Sequence, residues 1–311
     1  MKKLILIIPY YGRWPKYFGF YLQSLRGRCF ELLLVTDLPT EGLDLPPNVR
    51  VVKMSLADLA RRMEQTLGER IVLESPMRLC DFKPMYGKIF AGEIAGYDYW
   101  AFGDCDLVYG RALDGYLERK FAEDFDALSL HPIWPTGSFF VLRNSEKMNG
   151  FFERCANWRE VCTLPNTMYV NFDEIGGNYY QAVREGKMTL QDCAKKRDCF
   201  GAALDRAGDI KYLREDAHSE TWLAGETLEM CDGRLMLNGR EIRLFHFVLP
   251  KARRFFKFAD FAPGATHYLV TDTGFYVGAF ARRFHKLIGL KRKLVAAIHS
   301  LAVNGFKRLG K

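Results

Sequence analysis

Along the first hundred residues, apolar runs alternate with stretches of mixed character. Leu4 to Ile8 is an unbroken apolar run ended by Pro9, "FELLLVTD" at Phe30 to Asp37 is a second, "VRVVKM" at Val49 to Met54 is a third, and "YWAF" before Gly103 is a fourth. Short continuous runs bounded by turn residues predict strands buried on both faces. Between them, helices are expected around Phe18 to Leu25 and from Ser55, a suitable N-cap, through Leu67. Strands alternating with helices predict an α/β domain with a largely parallel sheet. Such sheets bind ligands beyond the carboxyl ends of their strands, which here are Pro9 to Gly12, Thr36 with Asp37, and the pair Asp104 and Asp106.

The pattern changes at the C-terminus. Phe280, Phe284, Leu287, Ile288, Leu294, Val295, Ile298, Leu301 and Ala302 recur at helical spacing, with Gly289 expected to bend or split the helix. Charge sharpens this picture. No acidic residue follows Asp272, whereas nine of the chain's 45 basic residues do, so the remaining 36 balance the 37 acidic ones and the tail carries the whole net charge of +8. A basic amphipathic helix is suited to an anionic membrane surface; the competing reading packs its apolar stripe on the body. No nucleic-acid-binding module is recognisable in it.

A chain of 311 residues with 49% hydrophobic content can bury one large core. It has no apolar run near 20 residues and no cleavable leader pattern, and its eight cysteines form no CxxC pair, which predicts free thiols and a cytoplasmic location. The expected division is a domain over 1–272, with halves over about 1–130 and about 131–250, followed by a tail over 273–311.

With 19 aspartates in the chain, an Asp-x-Asp pair arises about once by chance, and a second one stands at Asp124 and Asp126. Position separates the two. Asp124 and Asp126 precede an apolar run, as turn residues do, while Asp104 and Asp106 follow one and, in extended geometry, face one cation together. Hard oxygen ligands of this kind suit Mg²⁺ or Mn²⁺. His246 should end the return strand of a hairpin turning at Asn238-Gly239. Lys83, before Pro84, is expected in extended geometry at a helix start, with Asp81 as its partner or as a cap. Trp134, between two prolines, offers an aromatic stacking surface or anchors its loop. Asp173 or Glu174, in "VNFDEIGG", either accepts a proton from an acceptor hydroxyl or caps the following segment.

The ordered set "IIPYYG", "LVTD", "MRLCDFKPMYGKIF", "YDYWAFGDCDLVYG", "NFDE" and "FHFVLPK" resembles bacterial glycosyltransferases of the GT-A fold, of the capsular and O-antigen polysaccharide type, over residues 1 to about 260. The resemblance implies a nucleotide-sugar donor, usually UDP-linked, and a lipid-linked or growing polysaccharide acceptor, handled on the inner face of the membrane. It implies donor contacts from Pro9, Tyr10, Asp37, Asp104 and Lys251 and metal ligation by Asp104, Asp106 and His246. Thr36, Lys83 and Tyr86 are expected beside the donor, held by a half over about 1–130, with the acceptor on a half over about 131–250; Asp173 or Glu174, if it is the base, makes the transfer a direct displacement with inversion. A nucleotidyltransferase is the competing enzyme class, although the Gly-rich phosphate loop it needs is missing from "IIPYYGRWP". A non-catalytic membrane-associated binding protein is the other alternative.

Overall fold

A computed structural model describes residues 2–132, 135–165, 170–174, 179, 182–183, 185–196, 198–261 and 263–309. Trp134 and several positions of 175–184 lie outside the described residues. Each apolar run becomes a strand: β1 (Leu4–Pro9), β2 (Glu31–Thr36), β3 (Val49–Lys53) and β4 (Tyr99–Gly103) lie parallel in the order β3-β2-β1-β4. Beyond β4 come β5 (Leu107–Tyr109), β6 (Ala127–Ser129), β7 (Phe139–Arg143) and β8 (Tyr212–Arg214). The main sheet continues β4-β7-β6-β8, and β7 alone runs against its neighbours. The fold is therefore mixed α/β with a mostly parallel central sheet.

The helix Phe18–Leu25 forms where expected, as does Leu56–Leu67, whose Ser55 cap accepts the Asp58 amide. Alternate strand residues feed the two faces. Ile5, Ile7, Leu33, Val35, Trp100 and Phe102 join one core layer, while Leu4, Leu6, Leu32, Leu34, Tyr99 and Ala101 join the other. Asp124 and Asp126 are structural, both bonded to Arg143.

Seven further strands complete the chain: β9 (His218–Ser219), β10 (Leu228–Cys231), β11 (Arg234–Leu237), β12 (Arg240–Ile242), β13 (Leu244–His246), β14 (His267–Thr271) and β15 (Gly274–Val277). An antiparallel sheet orders β12-β11-β10-β14-β15, and a small sheet orders β5-β13-β9. The Asn238-Gly239 turn joins β11 to β12 with both residues at positive φ. The expected single return strand, however, divides at Arg243: β12 stays with β11, while β13 crosses to pair with β5.

Two local expectations change. Lys83 is helical (φ −48°, ψ −45°), not extended, because the chain from Pro76 to Ile94 is a succession of single helical turns that places Pro84 inside one of them. Residues 274–277 form β15, so the helical tail starts at Ala279, and its break falls at Phe284, between Ala279–Arg283 and His285–Leu309, not at Gly289. Gly289 instead lies where the long helix touches the body, since a Cβ there would meet Thr273 Oγ1 at 2.8 Å.

Candidate active site

The turn from β4 to β5 carries Asp104 and Asp106. Gly103 lets it form beside the 136–138 loop: a Cβ at this position would lie 2.5 Å from the Ser138 carbonyl oxygen, and the Asp104 amide donates to that same oxygen at 3.0 Å. β5 then pairs with β13 in the register Leu107↔His246, which brings a histidine distant in sequence to the acidic pair. His246 Nε2 sits 3.3 Å from Asp106 Oδ1, the Phe247 amide donates to the Asp106 carbonyl at 3.1 Å, and the Lys251 ammonium contacts Asp106 Oδ2. Ligand atoms of Asp104, Asp106 and His246 all lie within 4.8 Å of one another.

The electrostatics of this wall follow from burial and pairing. Burial alone would raise the Asp106 pKa, but His246 and Lys251 outweigh it and hold the carboxyl well below the usual carboxylate range. Burial would lower that of His246, yet Asp106 and Glu220 raise it to about 10. Two carboxylates and an imidazole form a donor set that fits an oxygen-preferring divalent ion such as Mn²⁺ or Mg²⁺, which takes the histidine in its neutral form.

Lys83 connects this wall to the opposite one. Its buried Nζ donates to Asp104 Oδ1 at 2.7 Å and to the Gly137 carbonyl at 2.9 Å, and stands 3.8 Å from Asp173 Oδ2. Gly137 is again a close approach, since a Cβ would meet Asp173 Oδ2 at 2.5 Å. Its amide donates to Glu174 Oε2 at 3.3 Å. Burial raises the pKa of both acids, Asp173 strongly so, and the nearby Lys83 charge offsets only part of this. Asp173 is buried, whereas Glu174 is half-buried.

The remaining expected donor contacts occupy neighbouring strand ends. Pro9 pairs with Val35 across β1 and β2, and the Tyr10 amide donates to the Val35 carbonyl. The Tyr10 ring stacks on Trp14 at 5.4 Å, and burial, then the neighbouring Cys105 and Asp106, push its phenol up to about 12. Thr36 Oγ1 accepts the Leu38 amide, and Asp37 is exposed at the tip of β2. Tyr86 stands apart: it is buried in the core and donates its hydroxyl to the Leu79 carbonyl at 2.9 Å.

Two residues enter the site without having been expected there. Glu220 Oε2 lies 2.9 Å from His246 Nδ1 and fixes which way that ring faces. His218 packs on the His246 ring at 5.5 Å between centroids, and its Nε2 meets Ser138 Oγ at 3.0 Å. Burial, then the charges of His246 and His131, lower the His218 pKa to about 3, leaving a neutral imidazole. The i, i+2 spacing of His218 and Glu220 is the signal that also marks Asp104 and Asp106.

No curated protein matches the chain. Among solved structures, mouse xyloside xylosyltransferase 1 in its apo form is similar at 10% identity and a TM-score of 0.40, over 79% of this chain and 97% of that one. The match that spans the strand ends, both carboxylate pairs and His246 is to a protein family: over residues 6–278 this chain belongs to the family described as a family of unknown function, DUF6625.

Proposed function

We propose that this chain is a metal-dependent glycosyltransferase, which moves a sugar from a nucleoside-diphosphate donor, UDP-linked by preference, to a hydroxyl of a lipid-linked or growing surface polysaccharide. One observation carries the reading. Lys83 stands between a strand-end acidic pair backed by His246 and Lys251 and a second carboxylate pair, Asp173 and Glu174. Displacing a diphosphate with a sugar hydroxyl needs these two chemistries side by side, cations for the departing charge and a carboxylate for the proton.

Asp104, Asp106 and His246 would hold the divalent ion, which when bound neutralises diphosphate charge. Lys251 and Lys83 supply further cationic donors beside that pair. Pro9, Tyr10, Thr36 and Asp37, at adjoining ends of β1 and β2, face the nucleoside. Glu174, the more accessible of the two acids, takes the acceptor proton as the hydroxyl oxygen bonds to the anomeric carbon and the bond to the diphosphate oxygen breaks, inverting that centre. A carboxylate whose pKa is raised by burial is a stronger base than one in water. Residues 1–130 form the donor half and 131–250 the acceptor half.

The test is a panel of nucleotide sugars with Mn²⁺ or Mg²⁺, read as release of free nucleotide. Metal-dependent turnover of one of them is expected, together with a metal-dependent thermal shift on adding the matching nucleoside diphosphate. Absence of both overturns the reading.

The tail supports a place at the inner face of the bacterial membrane. Among the described residues no helix is long and apolar enough to cross a membrane. His285, Gly289 and Arg292 face the body, where Arg292 donates to the Thr273 carbonyl at 2.9 Å and lies over the Tyr276 ring. Leu287, Leu290, Leu294 and Ile298 point the other way, each more than half exposed. These four apolar side chains are thus turned outward beside Lys286 and Lys291, which have no ion-pair partner among the described residues, as a surface that meets an anionic bilayer requires.

A further inference from the structure

The five-stranded antiparallel sheet carries a second group of ligating side chains, distinct in its residues from Asp104, Asp106 and His246. Cys231 ends β10 and His267 opens β14, and the two are direct cross-strand partners, so their side chains leave the same face of the sheet. Asp232 follows in the two-residue turn to β11, where Asp232 (φ 47°) and Gly233 (φ 78°) are both left-handed, the conformation of a tight hairpin turn that favours Asp-Gly. The Asp232 amide donates to the Thr266 carbonyl at 3.1 Å, which ties the turn to the residue preceding His267. Cys231 Sγ therefore touches His267 Nε2 and lies 3.9 Å from Asp232 Oδ2. One donor atom from each of the three falls within 4.8 Å of the others.

Five of the eight cysteines are buried, and Cys231 is one of the three that are half-buried. Cys231 is half-buried beside an imidazole and an exposed carboxylate. Tetrahedral bonds of about 2.0–2.3 Å place ligand atoms roughly 3.3–3.8 Å apart, a spacing the sulfur and the Asp232 oxygen already approach.

We propose that Cys231, Asp232 and His267 bind a borderline-soft transition-metal ion of the Zn²⁺ class, leaving a fourth position open to water. A thiolate and an imidazole select such ions, whereas the two carboxylates and one imidazole of Asp104, Asp106 and His246 favour Mn²⁺ or Mg²⁺, so the two sites separate by ligand chemistry. The ion would join the β10–β11 turn to the start of β14, the strand that leads through β15 to the helical tail. The site goes beyond the transferase reading and does not depend on it.

The probe is Co²⁺ added to the reduced, chelator-stripped full-length chain. A thiolate-to-cobalt charge-transfer band saturating at one equivalent is expected, displaced by Zn²⁺, kept in Asp106→Ala, lost in Cys231→Ser and weakened in His267→Ala. Because the active-site group contains no thiol, the band reports this site whether or not transferase activity is found. In the unmodified chain, Zn²⁺ should also protect Cys231 from alkylation, read by peptide mass spectrometry. This second measurement needs no variant to fold. No band in the unmodified chain, a band that survives in folded Cys231→Ser, or alkylation of Cys231 indifferent to Zn²⁺ would each overturn the proposal.

Discussion

Lys83 is shared unequally by its two carboxylate neighbours. Asp104 takes the bond at 2.7 Å, while Asp173 stands off at 3.8 Å and its Oδ1 has no hydrogen-bond partner among the described residues. Burial therefore dominates Asp173, and its folded-state pKa lies above the unfolded one. For an acid shifted in that direction, the contribution to stability is present below about pH 3.9 and is lost as pH rises toward the folded-state value. Asp173→Asn keeps the shape and removes the charge, so its melting temperature should exceed that of the unmodified chain at neutral pH, by roughly 2–4 °C per kcal/mol recovered, with the gain shrinking toward about pH 4. Melting curves across that range check this; no difference at neutral pH would contradict it. Glu174→Gln should instead lower kcat by about 10²–10⁴-fold with little change in donor KM. Because only the ionised acid accepts a proton, kcat/KM of the unmodified chain should rise with pH through a limb above the ordinary carboxylate range. A limb in the ordinary range, or full activity in Glu174→Gln, would remove Glu174 as the base.

The elements that present these groups are fixed by a pair buried beneath them. Arg78 and Asp81 are fully buried and bonded to each other; Asp81 also accepts the Val170 and Phe172 amides at 2.9 and 3.0 Å, and Arg78 Nη2 donates to the Val161 carbonyl at 2.6 Å. Asp81 is thus neither the partner of Lys83 nor a simple cap: it pins the backbone just before Asp173 to the helical turn just before Lys83. Removing one partner leaves a buried charge uncompensated, so Asp81→Ala should cost about 3–5 kcal/mol in denaturant unfolding, and Arg78→Met combined with Asp81→Leu should recover much of it. A cost under about 1 kcal/mol for Asp81→Ala would show that the anchor is dispensable. The same contrast explains what the sequence discloses. Strands β1 to β4, the helices Phe18–Leu25 and Leu56–Leu67, and the Asn238-Gly239 turn are legible because local apolar runs, a serine cap and turn chemistry decide them. The chain's departure at Arg243, the two-residue strand β9 and the contact of Glu220 with His246 are decided by pairing between distant segments, which the i, i+2 spacing of His218 and Glu220 does not encode. Asp104 and Asp106 stand at a strand end that is legible, yet their separate engagements emerge only in the fold, Asp104 with Lys83 beside the Gly137 carbonyl and Asp106 with His246 and Lys251 once β5 and β13 pair.

At the scale of the whole molecule, the sheet body is nearly neutral and the basic excess lies in the C-terminal tail, on the helices Ala279–Arg283 and His285–Leu309 and beyond. The longer helix meets the body through small and polar groups, Gly289 against Thr273, Arg292 over Tyr276 and Lys293 paired with Asp272 at 2.7 Å, which leaves Leu287, Leu290, Leu294 and Ile298 exposed. Turning Leu290 and Leu294 outward exposes hydrocarbon that would contribute about 25 cal/mol per Å² once covered, and each basic residue near an anionic surface adds roughly 1 kcal/mol. Binding that combines the two should depend on lipid charge and on salt. The full chain is therefore expected to sediment with vesicles containing anionic lipid and not with neutral ones, and to be released as salt shortens the screening length below about 8 Å. Leu290→Asp with Leu294→Asp should abolish sedimentation without changing the melting temperature, because neither side chain packs on the body, and should leave turnover on a soluble acceptor analogue intact while lowering it on a lipid-linked one. Lysine replacements by glutamine at 286 and 291 should weaken binding less and flatten its salt dependence. Retained sedimentation in the double aspartate variant, or a melting temperature lowered by it, would mean that the stripe packs against protein and that the helix belongs to the body, not to a membrane surface.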